Sequence, residues 1–110
     1  MAQLPTLTLL GSSFTRYKFE TYPFDTKFSP VAAVYAITLR YEKEPGKISQ
    51  RIVYIGETDD MSNCLENHDR RECILSFKAN AVSLYLDPDT TSRRKKVRDL
   101  VDKYKPKCND

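Results

Sequence analysis

The chain has no apolar run near the roughly 18 residues that a membrane-spanning helix requires, so neither a membrane span nor a membrane partner is expected. It does not open on a basic segment followed by an apolar stretch, and a secretory leader is therefore not expected. Internal repeats and low-complexity tracts are missing. Cysteine is scarce, with three in 110 residues, which is far from a disulfide scaffold. The odd count predicts reduced thiols and a cytoplasmic protein. No close-spaced Cys pair exists to anchor a zinc site, although Cys64, His68, Cys73 and Cys108 are the residue types that a Cys3His site uses. Lone buried thiols are the expectation.

What is present suits a globular fold. Hydrophobic residues make up 40% and charged residues 30%, too apolar for a disordered chain. The length fits one domain over residues 1–110, which would bury roughly two-thirds of its unfolded surface. The net charge of +3 is uneven: residues 1–90 carry ten Lys and Arg against twelve Asp and Glu, and residues 91–110 carry eight against three. The basic end predicts an acidic partner for that face.

Apolar periodicity gives the elements. Leu7, Leu9 and Leu10 precede a turn at Gly11-Ser12-Ser13, after which Tyr17, Phe19 and Thr21 alternate with charged residues, predicting a hairpin. Residues 22–30, with two prolines, read as a loop. Val31–Tyr41 is apolar at nearly every position, as in a strand covered on both faces, and Arg51–Gly56 is its partner. The polar segment between them reads as a long tip around Pro45-Gly46. Thr58 is positioned to cap a helix bearing Met61, Cys64, Leu65 and His68. A short second helix carries Ile74, Leu75 and Phe77, with Asn80 as terminator. Ala81–Leu86 is a third core strand. After Asp87-Pro88-Asp89, Thr90 or Thr91 caps a last helix whose apolar face is Val97, Leu100, Val101 and Tyr104, stopped by Pro106. The fold class is α+β: a small antiparallel β-sheet with flanking helices and an N-terminal β-hairpin.

Two strands carry tyrosines in a distinctive arrangement, Ala33-Val34-Tyr35 and Tyr54-Ile55-Gly56, the second running into Glu57-Thr58-Asp59. His68 follows twelve residues after Gly56, and the chain closes with Asp99-Leu100-Val101, Tyr104, Pro106 and Cys108-Asn109. This resembles the GIY-YIG nuclease superfamily, in particular its small single-domain members. It covers about residues 14–110, with the motifs in 31–110. The resemblance implies metal-dependent phosphodiester cleavage, with paired tyrosines that help activate water, an arginine that stabilises charge on the phosphate, and a glutamate on the last helix that binds a divalent cation, usually magnesium.

Tyr35, Tyr54, Gly56 and His68 match that pattern, so they are the candidate remnant site. Cys64 stands where the arginine belongs and Val97 where the glutamate belongs. Val97 offers no oxygen to magnesium, and Cys64 offers no cationic fork to phosphate. Glu57, Asp59, Asp60 and Glu66 could form a substitute metal site, but carboxylates early in a helix more often serve its dipole. The expected function is that of a catalytically degenerate nuclease-like domain that binds nucleic acid or acts as an interaction module, with no cofactor. The alternatives are a magnesium-dependent endonuclease with relocated groups and a protein-binding domain without nucleic acid. If DNA or RNA is the partner, Arg93, Arg94 and Lys96, joined by Arg70 and Arg71, are the expected phosphate contacts, because no local carboxylate pairs with them. Elsewhere on the last helix, Lys95–Asp99, Asp99–Lys103 and Arg98–Asp102 have pairing distance.

Overall fold

The structure is a computed structural model that describes residues 4–66 and 68–109. Five strands form one curled, fully antiparallel sheet. They are β1 (Leu4–Leu10), β2 (Arg16–Pro23), β3 (Ala33–Glu44), β4 (Lys47–Thr58) and β5 (Ala81–Leu86), in the order β1-β2-β5-β3-β4. Helix α1 (Arg71–Ser76) precedes β5, helix α2 (Thr90–Tyr104) follows it, and a 3-10 turn spans Lys107–Asn109. Among the described residues no helix is long and apolar enough to cross a membrane.

The nearly continuous apolar run of β3 has the cause inferred from it: both faces of the sheet are covered. Ala33, Tyr35 and Ile37 join Val53, Met61, Ile74, Val82 and Leu84 in one cluster, roofed by the 24–32 loop, the turns at 61–66 and α1. Val34 and Ala36 join Leu9, Tyr17, Phe19 and Ile55 in the other, roofed by Leu100 of α2 with Val97, Val101 and Tyr104 beside it. The alternation of Tyr17, Phe19 and Thr21 is real; all three are buried.

Several boundaries differ from expectation. Strand β2 continues through Tyr22 and Pro23 before the loop begins. The β3–β4 tip is not a long loop, because pairing continues to Glu44↔Lys47 and leaves Pro45-Gly46 as a tight turn, with Gly46 at φ 80°. Among the described residues, no helix starts at Thr58. The Thr58 hydroxyl accepts from the Asp60 N–H, an Asp60 carboxylate oxygen accepts from Ser62, and residues 61–66 are turns. Short polar side chains there compete for the backbone N–H groups that a helix would use. Asn80 does not end α1. The helix ends at Ser76 with Lys78 in the left-handed region, while the Asn80 side chain clasps the Arg40 backbone at 2.7 and 2.9 Å. Asp89, rather than Thr90 or Thr91, caps α2 by accepting from the Ser92 N–H at 2.7 Å.

The expectation of reduced thiols is corrected by a Cys73–Cys108 disulfide that joins α1 to the 3-10 turn. It also removes two members of the Cys3His set, since bonded sulfurs are not thiolate ligands. Cys64 is free.

Candidate functional site

Strand pairing builds the tyrosine site. Tyr35 lies opposite Gly56, and Tyr54 lies two residues before Gly56 on the same face. Val53 is the extra residue of a bulge between the Ile37↔Tyr54 and Thr38↔Ile52 pairs, which sets the facing of Tyr54. The two rings sit 6.0 Å apart, centre to centre, over Gly56. A Cβ at 56 would fall 2.7 Å from the Tyr35 hydroxyl and 2.7 Å from the Tyr54 ring, so glycine is required by the rings themselves.

His68 closes the group from the turn before α1, not from a helix end. Its ring meets Tyr54 edge-on at 4.6 Å. Nδ1 accepts the Arg70 N–H at 2.9 Å, which places the ring proton on Nε2, and Nε2 donates to the Tyr35 hydroxyl oxygen at 2.7 Å. Tyr35 keeps its own proton to give, and the Cys64 thiol lies beside it. Charging His68 would trade the Arg70 bond for the Asp69 carboxylate at 3.4 Å. Burial works against that and holds the imidazole below its ordinary pKa, with Asp69 opposing and Arg70 assisting. Burial also raises the Tyr35, Tyr54 and Cys64 pKa values, strongly so for Tyr35. The site at neutral pH is therefore a neutral, hydrogen-bonded cluster.

Its mouth is an open cleft of about 530 Å³ lined by Glu57, Thr58, Asp59, Asp60, Asn63 and Asp69 together with the cluster. Four carboxylates line it and no Lys or Arg does. Glu66 belongs to a different groove, with Phe24 and Phe28. The carboxylates do not converge on a magnesium site: Glu57 is engaged by arginines, Asp60 by Ser62, and among the described residues no group of three His, Cys, Asp or Glu side chains is placed to hold a metal ion.

The remaining candidates are dispersed. Val97 packs with the cluster beneath α2, on the opposite face of the sheet from Tyr35, so the space between Cys64, His68 and Val97 is not one site. Arg93 is corrected from a free cation to a buried strut, 2% exposed. It donates to Glu57 at 2.8 Å, the Asp87 carbonyl at 3.0 Å and Thr90 at 3.0 Å. Lys96 is likewise engaged, with Asp87 at 2.6 Å. Arg94 is largely exposed, 3.8 Å from Glu57. Arg70 is exposed but adjoins the tyrosine cluster, where its charge acts on Tyr54 and His68, and Arg71 is exposed nearby, donating to the Leu65 carbonyl at 2.7 Å. Asp99 does not pair along its helix; it accepts from Ser12, Ser13 and Tyr17 and so fastens the β1–β2 turn to α2. Sequence reasoning missed that role, and the serines of the turn were its only signal. No family model matches the chain, and neither does any curated protein or solved structure.

Proposed function

We propose that the chain is a GIY-YIG-like domain without nuclease chemistry that works as an interaction module through the Tyr35–Tyr54–His68 cleft. The observation that carries this reading is the lining of that cleft: Asp59, Asp60 and Asp69 beside a Glu57 that Arg93 and Arg94 already engage, a neutral Cys64 in place of a cation, and no Lys or Arg. Such a mouth repels a phosphodiester and attracts an amine or guanidinium, so a basic segment of a protein partner suits it better than DNA or RNA. The paired tyrosines over Gly56 support the resemblance. Burial raises the pKa values of both tyrosines, so they stay protonated at neutral pH, which suits a binding role better than the activation of water. Nucleic acid held through the start of α2 is the weaker reading, because Arg93 and Lys96 are spent on Glu57 and Asp87. The Cys73–Cys108 bond fits a disulfide-permissive setting better than the reduced cytoplasm.

The test is direct. Losing one preorganised charge-stabilising group costs about 10²–10³ in rate; here Cys64 supplies no cation, and Val97 lies across the sheet from Tyr35. Purified protein with magnesium or manganese should leave plasmid, single-stranded DNA and RNA intact. Cleavage that co-purifies with the protein and vanishes in Tyr54→Phe would overturn the reading.

A further inference from the structure

The basic excess of the C-terminal segment is not exhausted by Arg93 and Lys96. Where α2 ends, a groove of about 170 Å³ is lined by Arg51, Ile52 and Val53 of β4, Phe77 at the end of α1, and Tyr104 to Lys107. Three cations and two aromatic rings line it, and among the described residues no carboxylate does. Among the described residues, none of Arg51, Lys105 and Lys107 has a carboxylate within ion-pair distance, in contrast to the engaged cations at the start of the helix. All three are exposed, while Phe77 and Tyr104 are half-buried. Tyr104 is held in place because its hydroxyl accepts the Leu10 N–H at 2.9 Å.

We propose that this groove binds single-stranded nucleic acid, with Arg51, Lys105 and Lys107 on the phosphates and a base against Phe77 and Tyr104. The helix dipole alone does not account for the cations. Arg51 is on a strand, and Lys105 occupies the left-handed position, at φ 46°, where glycine or asparagine fits at lower cost. Lys78, next to Phe77, does the same at φ 59°. A groove this small is well under the roughly 300 Å³ at which drug-sized pockets begin, so it suits one protruding flat group on a longer chain. A duplex hides its ring faces; a single strand offers them, and cations interleaved with rings are the combination that single-strand sites use. The Cys73–Cys108 disulfide joins the two elements that deliver Phe77 and Lys107. This inference does not depend on the loss of nuclease chemistry, since the groove shares no lining residue with the tyrosine cleft and would bind in a cleaving protein too.

Fluorescence anisotropy with a short labelled oligouridylate, an oligothymidylate, a duplex of equal length and a polyglutamate competitor decides it. Both single strands should bind in preference to the duplex, with a log–log salt slope of roughly −2 for three phosphates at about −0.7 each. Changing Arg51, Lys105 and Lys107 to Gln should weaken binding at least about tenfold and flatten that slope. Phe77→Leu should weaken binding about tenfold while leaving the slope unchanged. Arg94→Gln, at the other end of α2, should change nothing. Circular dichroism establishes that each variant is folded; the changes at Arg51, Lys105, Lys107 and Arg94 are on the surface, and leucine keeps the half-buried position 77 apolar. The proposal fails if the triple variant binds as tightly as the parent, if the duplex binds equally well, or if polyglutamate displaces the oligonucleotide at matched charge.

Discussion

Arg93 shows how far one residue's role depends on its surroundings. In the sequence it belongs to a run of cations, Arg93 to Lys96, indistinguishable from its neighbours. In the fold it is the largest of the fully buried side chains, threaded between α2 and β4 with each end satisfied. Removing one partner of a buried ion pair leaves an uncompensated charge behind. Glu57 keeps some contact with water, so Arg93→Ala should cost about 2–4 kcal/mol, below the upper end for a fully buried pair. Combining Arg93→Met with Glu57→Gln should recover a good part of that, because apolar packing replaces a desolvated pair at little loss. Urea denaturation of the parent, single and double variants reads both numbers. A single variant as stable as the parent would mean that the strut carries no load. Charge reversal at Arg93 tests folding, therefore, and not affinity for any partner. Val97 teaches the converse. Its place on the apolar stripe of α2 is legible from spacing alone, but only the pairing of strands shows that this stripe lies across the sheet from Tyr35.

At the scale of elements, α1 is the segment with the least local support. It has six residues, no side-chain cap at its start and one buried residue, Ile74. A helix that short is not stable by itself. What holds it is Ile74 in the core, the Arg71 bond to the Leu65 carbonyl, and the Cys73–Cys108 bridge. The bridge spans 35 residues of sequence, a loop whose closure limits the unfolded chain by about 3–4 kcal/mol in the chain-entropy account. Reduction should lower the unfolding free energy by about that amount. It should also speed amide exchange across α1 and the 3-10 turn more than in β3 and β5. The Cys73→Ser, Cys108→Ser variant should match the reduced parent. Equal exchange protection in the oxidised and reduced forms would show that packing alone fixes α1. Strands β3, β5 and the hairpin were legible because a two-residue period or an unbroken apolar run has few other readings. The turns at 61–66 were not, since Met61, Cys64 and Leu65 mimic a helical stripe while reaching the core from an irregular path.

For the molecule as a whole, the carboxylates that tie distant parts together set its response to acid. Asp87 anchors Lys96 and Ser92 at the start of α2, and Asp99 anchors the β1–β2 turn. The Lys96 ammonium holds the Asp87 carboxyl at about 2, and hydrogen bonds from Ser13 hold Asp99 at about 2, against an ordinary 3.8. Both values are depressed in the folded chain, so the unfolded chain takes up protons first as pH falls. The stability these groups supply is present above about pH 4 and lost between there and pH 2. His68 adds an earlier step of the same sign. Burial lowers its pKa below 6.5, the unfolded chain binds that proton first, and stability begins to decline below pH 6.5. Urea midpoints from pH 7 to 3 should show a shallow fall that His68→Gln removes and a steeper one that Asp99→Asn reduces. A flat profile to pH 3 would contradict the placement of both groups.

Local pattern determined the α+β class, the hairpin, the two long strands and the last helix, because each rests on neighbours a few residues apart, and the likeness of Tyr35, Tyr54 and Gly56 to a paired-tyrosine motif was legible from two short strand segments. Tertiary structure decided the surroundings of these side chains. It fixed the proton on His68 through a backbone amide, lined the cleft beside the tyrosines with carboxylates, and hid Arg93 while leaving Lys105 and Lys107 exposed. It also joined Cys73 to Cys108. Those outcomes depend on burial and on contacts between residues far apart in the chain, where desolvation and pairing outweigh anything that composition or spacing records.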